Sequence, residues 1–178
     1  MSTIKKICIC AICIALCYVL PVVLHPFGLG QMLSPMHVPV LICGLVCGPA
    51  YGIVCAIAGP FLSSMLSNMP PMMMLASMIP ELMAYGYFSG IIMKAARTKS
   101  LLLNLYLALI PAMLIGRVVG GLTKALYYLI GVFGVEAFAI EEIASSYFVA
   151  TLPGIVIHLL LIPMLIITLK EEKLIKIK

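Results

Sequence analysis

Three ionisable residues, Glu81, Arg117 and Lys124, stand inside stretches otherwise built of leucine, isoleucine, methionine and small residues. In hydrocarbon a charged side chain costs about 2.5 to 3.5 kcal/mol even on a lenient insertion scale, so each must face a partner or a watery cavity. Arg117 and Lys124 are seven residues apart, close to two helical turns, and so project from one face of a helix. Ser77, Glu81 and Tyr85 recur every four residues and share a face of another. His37 heads a short apolar run, and Asn68, Tyr85 and Tyr128 are further polar groups able to contact a small molecule. Three tasks suit such a set. The residues line an outward-opening cavity; or Glu81 and Arg117 form a buried ion pair that only braces helices; or Glu81 serves as the base of a small intramembrane enzyme. Two positive groups against one acid favour an anion in the cavity, a carboxylate above all, whereas Glu81 beside Tyr85 suits a hydroxylated ring or an amine.

Familiar catalytic patterns are absent. The chain has no G-x-x-x-x-G-K-[ST], so it hydrolyses no nucleotide by a P-loop, and neither H-E-x-x-H nor G-x-S-x-G occurs. Glu141 and Glu142 begin a diglutamate protease pattern, but the arginine due three residues later is replaced by Ser145 or Ser146. The cysteines at 8, 10, 13, 17, 43, 47 and 55 lie in apolar runs and are odd in number, which argues against a disulfide framework; they read as small lipid-facing or packing residues. No metal site and no cofactor are expected.

Helices must carry these groups. Of 178 residues 64% are hydrophobic and 10% charged, with a mean hydropathy of +1.24, well beyond the roughly half-apolar usage of soluble domains. A hydrocarbon core about 30 Å thick takes roughly 20 helical residues per crossing. Residues 1–178 therefore read as one all-α membrane domain, a compact bundle of six transmembrane helices at about 7–24, 37–47, 51–67, 72–93, 101–130 and 147–169. The first apolar run follows Lys5 and Lys6 like a signal peptide, but it is long and has no small-x-small site, so it is expected to be retained. Six crossings put both termini on one side. Lys5, Lys6, Lys94, Arg97, Lys99, Lys170, Lys173, Lys176 and Lys178 all fall there, which makes that side the cytoplasm of a multi-pass cell-membrane protein. The opposite loops, 25–36, 68–71 and 131–146, are rich in proline, glycine and methionine, and they suit lids folded over something or loops resting in the headgroup layer. At 1.5 Å per residue, Glu81 lies roughly 13 Å below the outer surface, with Lys124 shallower and Arg117 deeper. Ala11 and Ala15 make a small-xxx-small surface on the first span, of the kind that lets helices dock closely in lipid.

Six spans, inward termini, the Ala11 and Ala15 surface, long outer loops after spans one and five, and the stretch MHVPVLICGLVCGPAYG together carry a resemblance. The chain resembles, over its whole length, the substrate-binding S-components of energy-coupling factor (ECF) vitamin transporters, in the broad group that includes pantothenate and vitamin B6 proteins. The resemblance implies a high-affinity binder that captures a small vitamin from outside, a pantothenate-like carboxylate slightly ahead of a vitamin B6-like ligand. It implies that the Ala11 and Ala15 face docks on a transmembrane coupling subunit joined to two cytoplasmic ATPases, and that the S-component topples in the bilayer to deliver its load. The chain itself would then be no enzyme, its expected partners being vitamin, coupling module and lipid, with no nucleic acid.

Overall fold

Ser2 opens the first helix: its hydroxyl accepts from the Lys5 amide at 3.4 Å, the usual service of a serine N-cap. In the computed structural model this helix, α1, runs Thr3–Leu24 and gives way to a 3-10 turn at His25–Phe27. Then follow α2 (His37–Cys47), α3 (Pro49–Ser67), α4 (Met72–Ala95), α5 (Leu101–Leu129) and α6 (Leu152–Glu171). The structure describes residues 1–27, 34–96, 98–130, 152–172 and 174–175, leaving aside the side chains of residues 73, 128, 129 and 152. Among the described residues every regular element is helical. The lid loop expected at 131–146, much of that at 25–36, and the Tyr128 side chain lie outside them.

Four helical stretches are long and apolar enough to cross a membrane: Thr3–Leu24, Pro49–Ser67, Leu101–Tyr127 and Pro153–Glu171. Their large apolar side chains point outward, Ile7, Ile12, Val54, Met65, Leu114, Leu122, Leu160 and Met164 among them, which inverts the pattern of a soluble bundle and provides a lipid-facing surface. The helix α4 has the length but carries Glu81 and buried serines at 77 and 89.

The second helix is of a different kind. Its 11 residues extend about 16 Å, half the hydrocarbon thickness. All of them except Val38 are buried. A helix apolar on every side belongs in the interior, and α2 is walled by α1, α3, α4 and α6. The proline, glycine and histidine that interrupt its apolar pattern face protein.

What ends α2 is Gly48, at φ 103°, a conformation strained for any side chain; its amide still closes on Gly44 O at 3.0 Å. Pro49 then starts α3, where its missing N–H is no loss. The hairpin so formed packs backbone to backbone on α4. A Cβ on Gly86 would stand 2.6 Å from the Gly52 carbonyl carbon, and one on Gly90 would stand 2.8 Å from Gly44 O. Glycine is required because main chain occupies the space.

Cysteine fills the seam between α1 and this hairpin. Cys10, Cys13 and Cys17 of α1, Cys43 and Cys47 of α2 and Cys55 of α3 are all buried free thiols, and Cys8 is exposed. Packing thus describes six of the seven, and the other is exposed. The Cys10 and Cys43 thiols both point at Tyr51 O, at 3.7 and 3.4 Å; Cys47 reaches Lys6 O at 3.6 Å and Cys17 reaches Met36 O at 3.9 Å. These contacts make α1 and α2 antiparallel, with the N-terminus of α2 at the end of the bundle far from Lys5 and Lys6.

Candidate functional site

His37 stands in the first turn of α2. Its Nδ1 lies 2.9 Å from Ser34 O, and because a carbonyl only accepts, Nδ1 carries a proton. The opposite ring nitrogen, Nε2, faces Glu81 Oε1 at 3.5 Å. On α4 the Ser77, Glu81 and Tyr85 face does point inward, all three being buried. Tyr85 donates its hydroxyl to Glu81 Oε1 at 2.7 Å, one helical turn away. From α5, Arg117 Nη1 comes to 3.8 Å of the same oxygen. Exposure is 7% for His37, 4% for Glu81, 0% for Tyr85 and 6% for Arg117. A carboxylate and a guanidinium are thus held together almost wholly out of water, a costly arrangement that persists only where other polar groups complete it.

Two small residues of α5 make the approach possible. Gly116 lies against the Tyr85 ring, its built Cβ 2.9 Å from Cζ, and Gly120 lies against the Glu81 carboxylate, its built Cβ 2.6 Å from Oε2. A side chain at either would fill the space that the tyrosine and the acid occupy. Lys124, one turn beyond Gly120, is half-buried and interacts electrostatically with Glu81 and Arg117.

The residue missed in the sequence is His158 of α6, 1% exposed. Its ring stacks on His37 at 5.9 Å between centroids and 20° between planes, while Tyr85 packs on His37 at 4.9 Å and 58°. The signal was present: His158 is the one ionisable residue in the apolar run from Leu152 to Leu169, and such a residue calls for a partner.

Four helices therefore bring His37, Glu81, Tyr85, Arg117 and His158 into one cluster, with Lys124 at its edge. Asn68 is not part of it on the described contacts. It caps α3 in the left-handed conformation at φ 56°, exposed, its amide bonded to Ser64 O at 2.9 Å. Ala11 and Ala15 are both exposed on the face of α1 opposite its buried cysteines. A cavity of about 280 Å³ at the other end of the bundle, lined by Met1, Ser2, Lys5 and Leu174, has no part in the cluster.

Every regular element among the described residues is helical, four stretches are apolar enough to cross a membrane, and a charged cluster lies buried among the helices of the chain. Its sequence matches, over residues 5–169, the family model described as ECF transporter, substrate-specific component, and the chain belongs to that family. Members are transport subunits and not the ATPases that drive them. No curated protein and no solved structure shows significant similarity to the chain.

Proposed function

We propose that this chain is the high-affinity binding subunit of an ECF importer and that the cluster around Glu81 is where it takes a small water-soluble vitamin. One observation carries the reading: side chains of four helices converge on Glu81 Oε1 and its neighbours at the end of the bundle far from Lys5 and Lys6. By the distribution of lysine and arginine, the chain crosses the cell membrane six times with both termini in the cytoplasm, so the cluster faces outward. Arg117 and Lys124 give it a positive balance against Glu81, which favours a carboxylate such as pantothenate over a vitamin B6-like ring. His37, His158 and Tyr85 supply flat, polar-edged walls; Asn68 and Tyr128, which follow α3 and close α5, are outlying contacts. On α1, Ala11 and Ala15 form the surface that meets the transmembrane coupling subunit, whose two ATPases supply the energy.

Titration calorimetry of the purified, folded protein against a panel of vitamins tests this. A ligand bound at submicromolar Kd, lost on Arg117→Gln, is the expected result; no tight binder in the panel refutes it. The 3.8 Å approach of Arg117 to Glu81 favours a second reading, an ion pair that only joins α4 to α5. On that reading Arg117→Gln lowers stability and no vitamin raises it.

A further inference from the structure

Both ring nitrogens of His37 look at acceptors. Nδ1 stands 2.9 Å from Ser34 O, and a carbonyl oxygen only accepts. Nε2 stands 3.5 Å from Glu81 Oε1. That oxygen receives the Tyr85 hydroxyl at 2.7 Å and faces the Arg117 guanidinium at 3.8 Å, so it is an acceptor too. It stays one whether Glu81 is ionised or carries a proton on Oε2. A neutral imidazole has one N–H and one lone pair, and either tautomer sets that lone pair against an acceptor. Only the imidazolium donates at both ends.

The groups around the ring bear on its charge. Glu81 and Tyr85 come from α4, Arg117 from α5 with Lys124 at the edge, and His158 from α6, stacked on His37 at 5.9 Å. From α1 the Cys17 thiol reaches the carbonyl of Met36, one residue before His37, and Cys55 of α3 stands beside that thiol. Contact with the carboxylate favours a charged ring and the cations of α5 oppose it. The acceptor waiting at each nitrogen decides for the charge.

We propose that His37 is held as an imidazolium and that its charge makes the cluster select anions. Three cations, His37, Arg117 and Lys124, then stand against the carboxylate of Glu81, an excess of two positive charges among the described residues of the cluster. Such an excess is expensive between membrane helices, and an anionic group on the substrate cancels part of it. This rests on the ligand-capture reading and adds a sign to it. A carboxylate binds less tightly as pH rises and His37 gives up its proton, whereas a neutral ligand is indifferent.

The test is calorimetry on the full-length protein with pantothenate and nicotinate as carboxylate probes and nicotinamide as a neutral one. From about pH 6 to 9, across which a histidine beside a carboxylate loses its charge, the wild type is expected to bind its carboxylate more weakly as pH rises. The fall is at most about tenfold per pH unit, the limit for one proton. His37→Gln, which keeps a donor without the charge, should bind that carboxylate roughly fivefold or more weakly at the acid end, with the slope gone. Nitrogen NMR of the histidine rings reads the charge without a ligand. The chain has three histidines, and the signal lost in His37→Gln should report protons on both nitrogens near neutral pH. If His37→Gln does not fold, calorimetry of the wild type in two buffers of different ionisation enthalpy, near the alkaline end, should count proton uptake with the carboxylate and none with nicotinamide. A carboxylate bound with no pH slope, a slope that survives in folded His37→Gln, a neutral His37 ring or a lack of proton uptake overturns the inference and leaves capture standing. So does a wild type that binds nicotinamide and no carboxylate. A folded wild type that binds none of the probes overturns both.

Discussion

Three glycines on one helix give the contact between α4 and α5 a graded test. Gly116, Gly120 and Gly121 all lie within α5, and alanine at an open helical position stabilises by about 0.5 to 1 kcal/mol. At Gly121 nothing lies within 4 Å of the added Cβ, so Gly121→Ala should show that gain. At Gly120 the Cβ meets Glu81 Oε2 at 2.6 Å and Cδ at 2.8 Å, the carboxylate of a buried side chain that also receives the Tyr85 hydroxyl. Overpacking there should cost about 1 to 3 kcal/mol, offset in part by the helix gain. At Gly116 the Cβ meets the ring of Tyr85, which is fully buried and bonded to Glu81. Overpacking costs about 1 to 3 kcal/mol and a broken hydrogen bond to a charged acceptor roughly 1.5 to 3. After the helix gain, Gly116→Ala should lose about 1.5 to 5.5 kcal/mol, and its melting temperature should fall by roughly 3 to 20 °C. Thermal unfolding of the three variants in one detergent measures the series. If Gly121→Ala is as damaging as Gly116→Ala, or Gly116→Ala is harmless, then α5 does not rest on Tyr85 and the geometry of the cluster is wrong.

Other perturbations reach different parts of the molecule. Asn104, buried near the start of α5, accepts from the Thr98 amide at 3.0 Å and from the Thr98 hydroxyl, and donates to Thr98 O at 3.2 Å. Asn104→Ala should cost about 1 to 3 kcal/mol in thermal unfolding, and Asn104→Asp, which keeps the acceptor, should cost less. Leucine at Ala11 or Ala15 enters an exposed face of α1; uptake and co-purification with the coupling subunit should fall while melting temperature and ligand affinity hold. Unchanged uptake would remove that surface from the docking argument. Of the seven cysteines only Cys8 is exposed, so mass spectrometry after brief maleimide treatment of the folded protein should find one label, with the rest added on denaturation. Early labelling of Cys17 or Cys55 would mean that the seam between α1 and α3 is open.

Helix positions were largely legible because apolar runs and their breakers are local. The structure begins α2 at His37 and ends it at Cys47 as the sequence indicates, and it starts α1 four residues earlier, where Ser2 supplies a cap. The inward face of Ser77, Glu81 and Tyr85 follows from spacing alone. Which helix each face meets does not. Nothing near Glu81 in the chain says that Gly120 will lie against its carboxylate, or that His37 and His158, 121 positions apart by number, will stack. The place of α2 in the interior was hidden for the same reason, since a short apolar helix reads alike whether lipid or protein surrounds it. The buried cysteines likewise look no different in sequence from lipid-facing ones.

The meeting of Gly86 with Gly52, and of Gly90 with Gly44 and Gly48, has a mechanical consequence. Main chains in direct contact leave no side-chain layer to shear, so α2, α3 and α4 tilt as one block. His37 and Glu81 ride on that block and keep their separation whatever attitude the protein takes in the bilayer. Movement that separates the members of the cluster would then run through α5 or α6, which stand outside the glycine crossing.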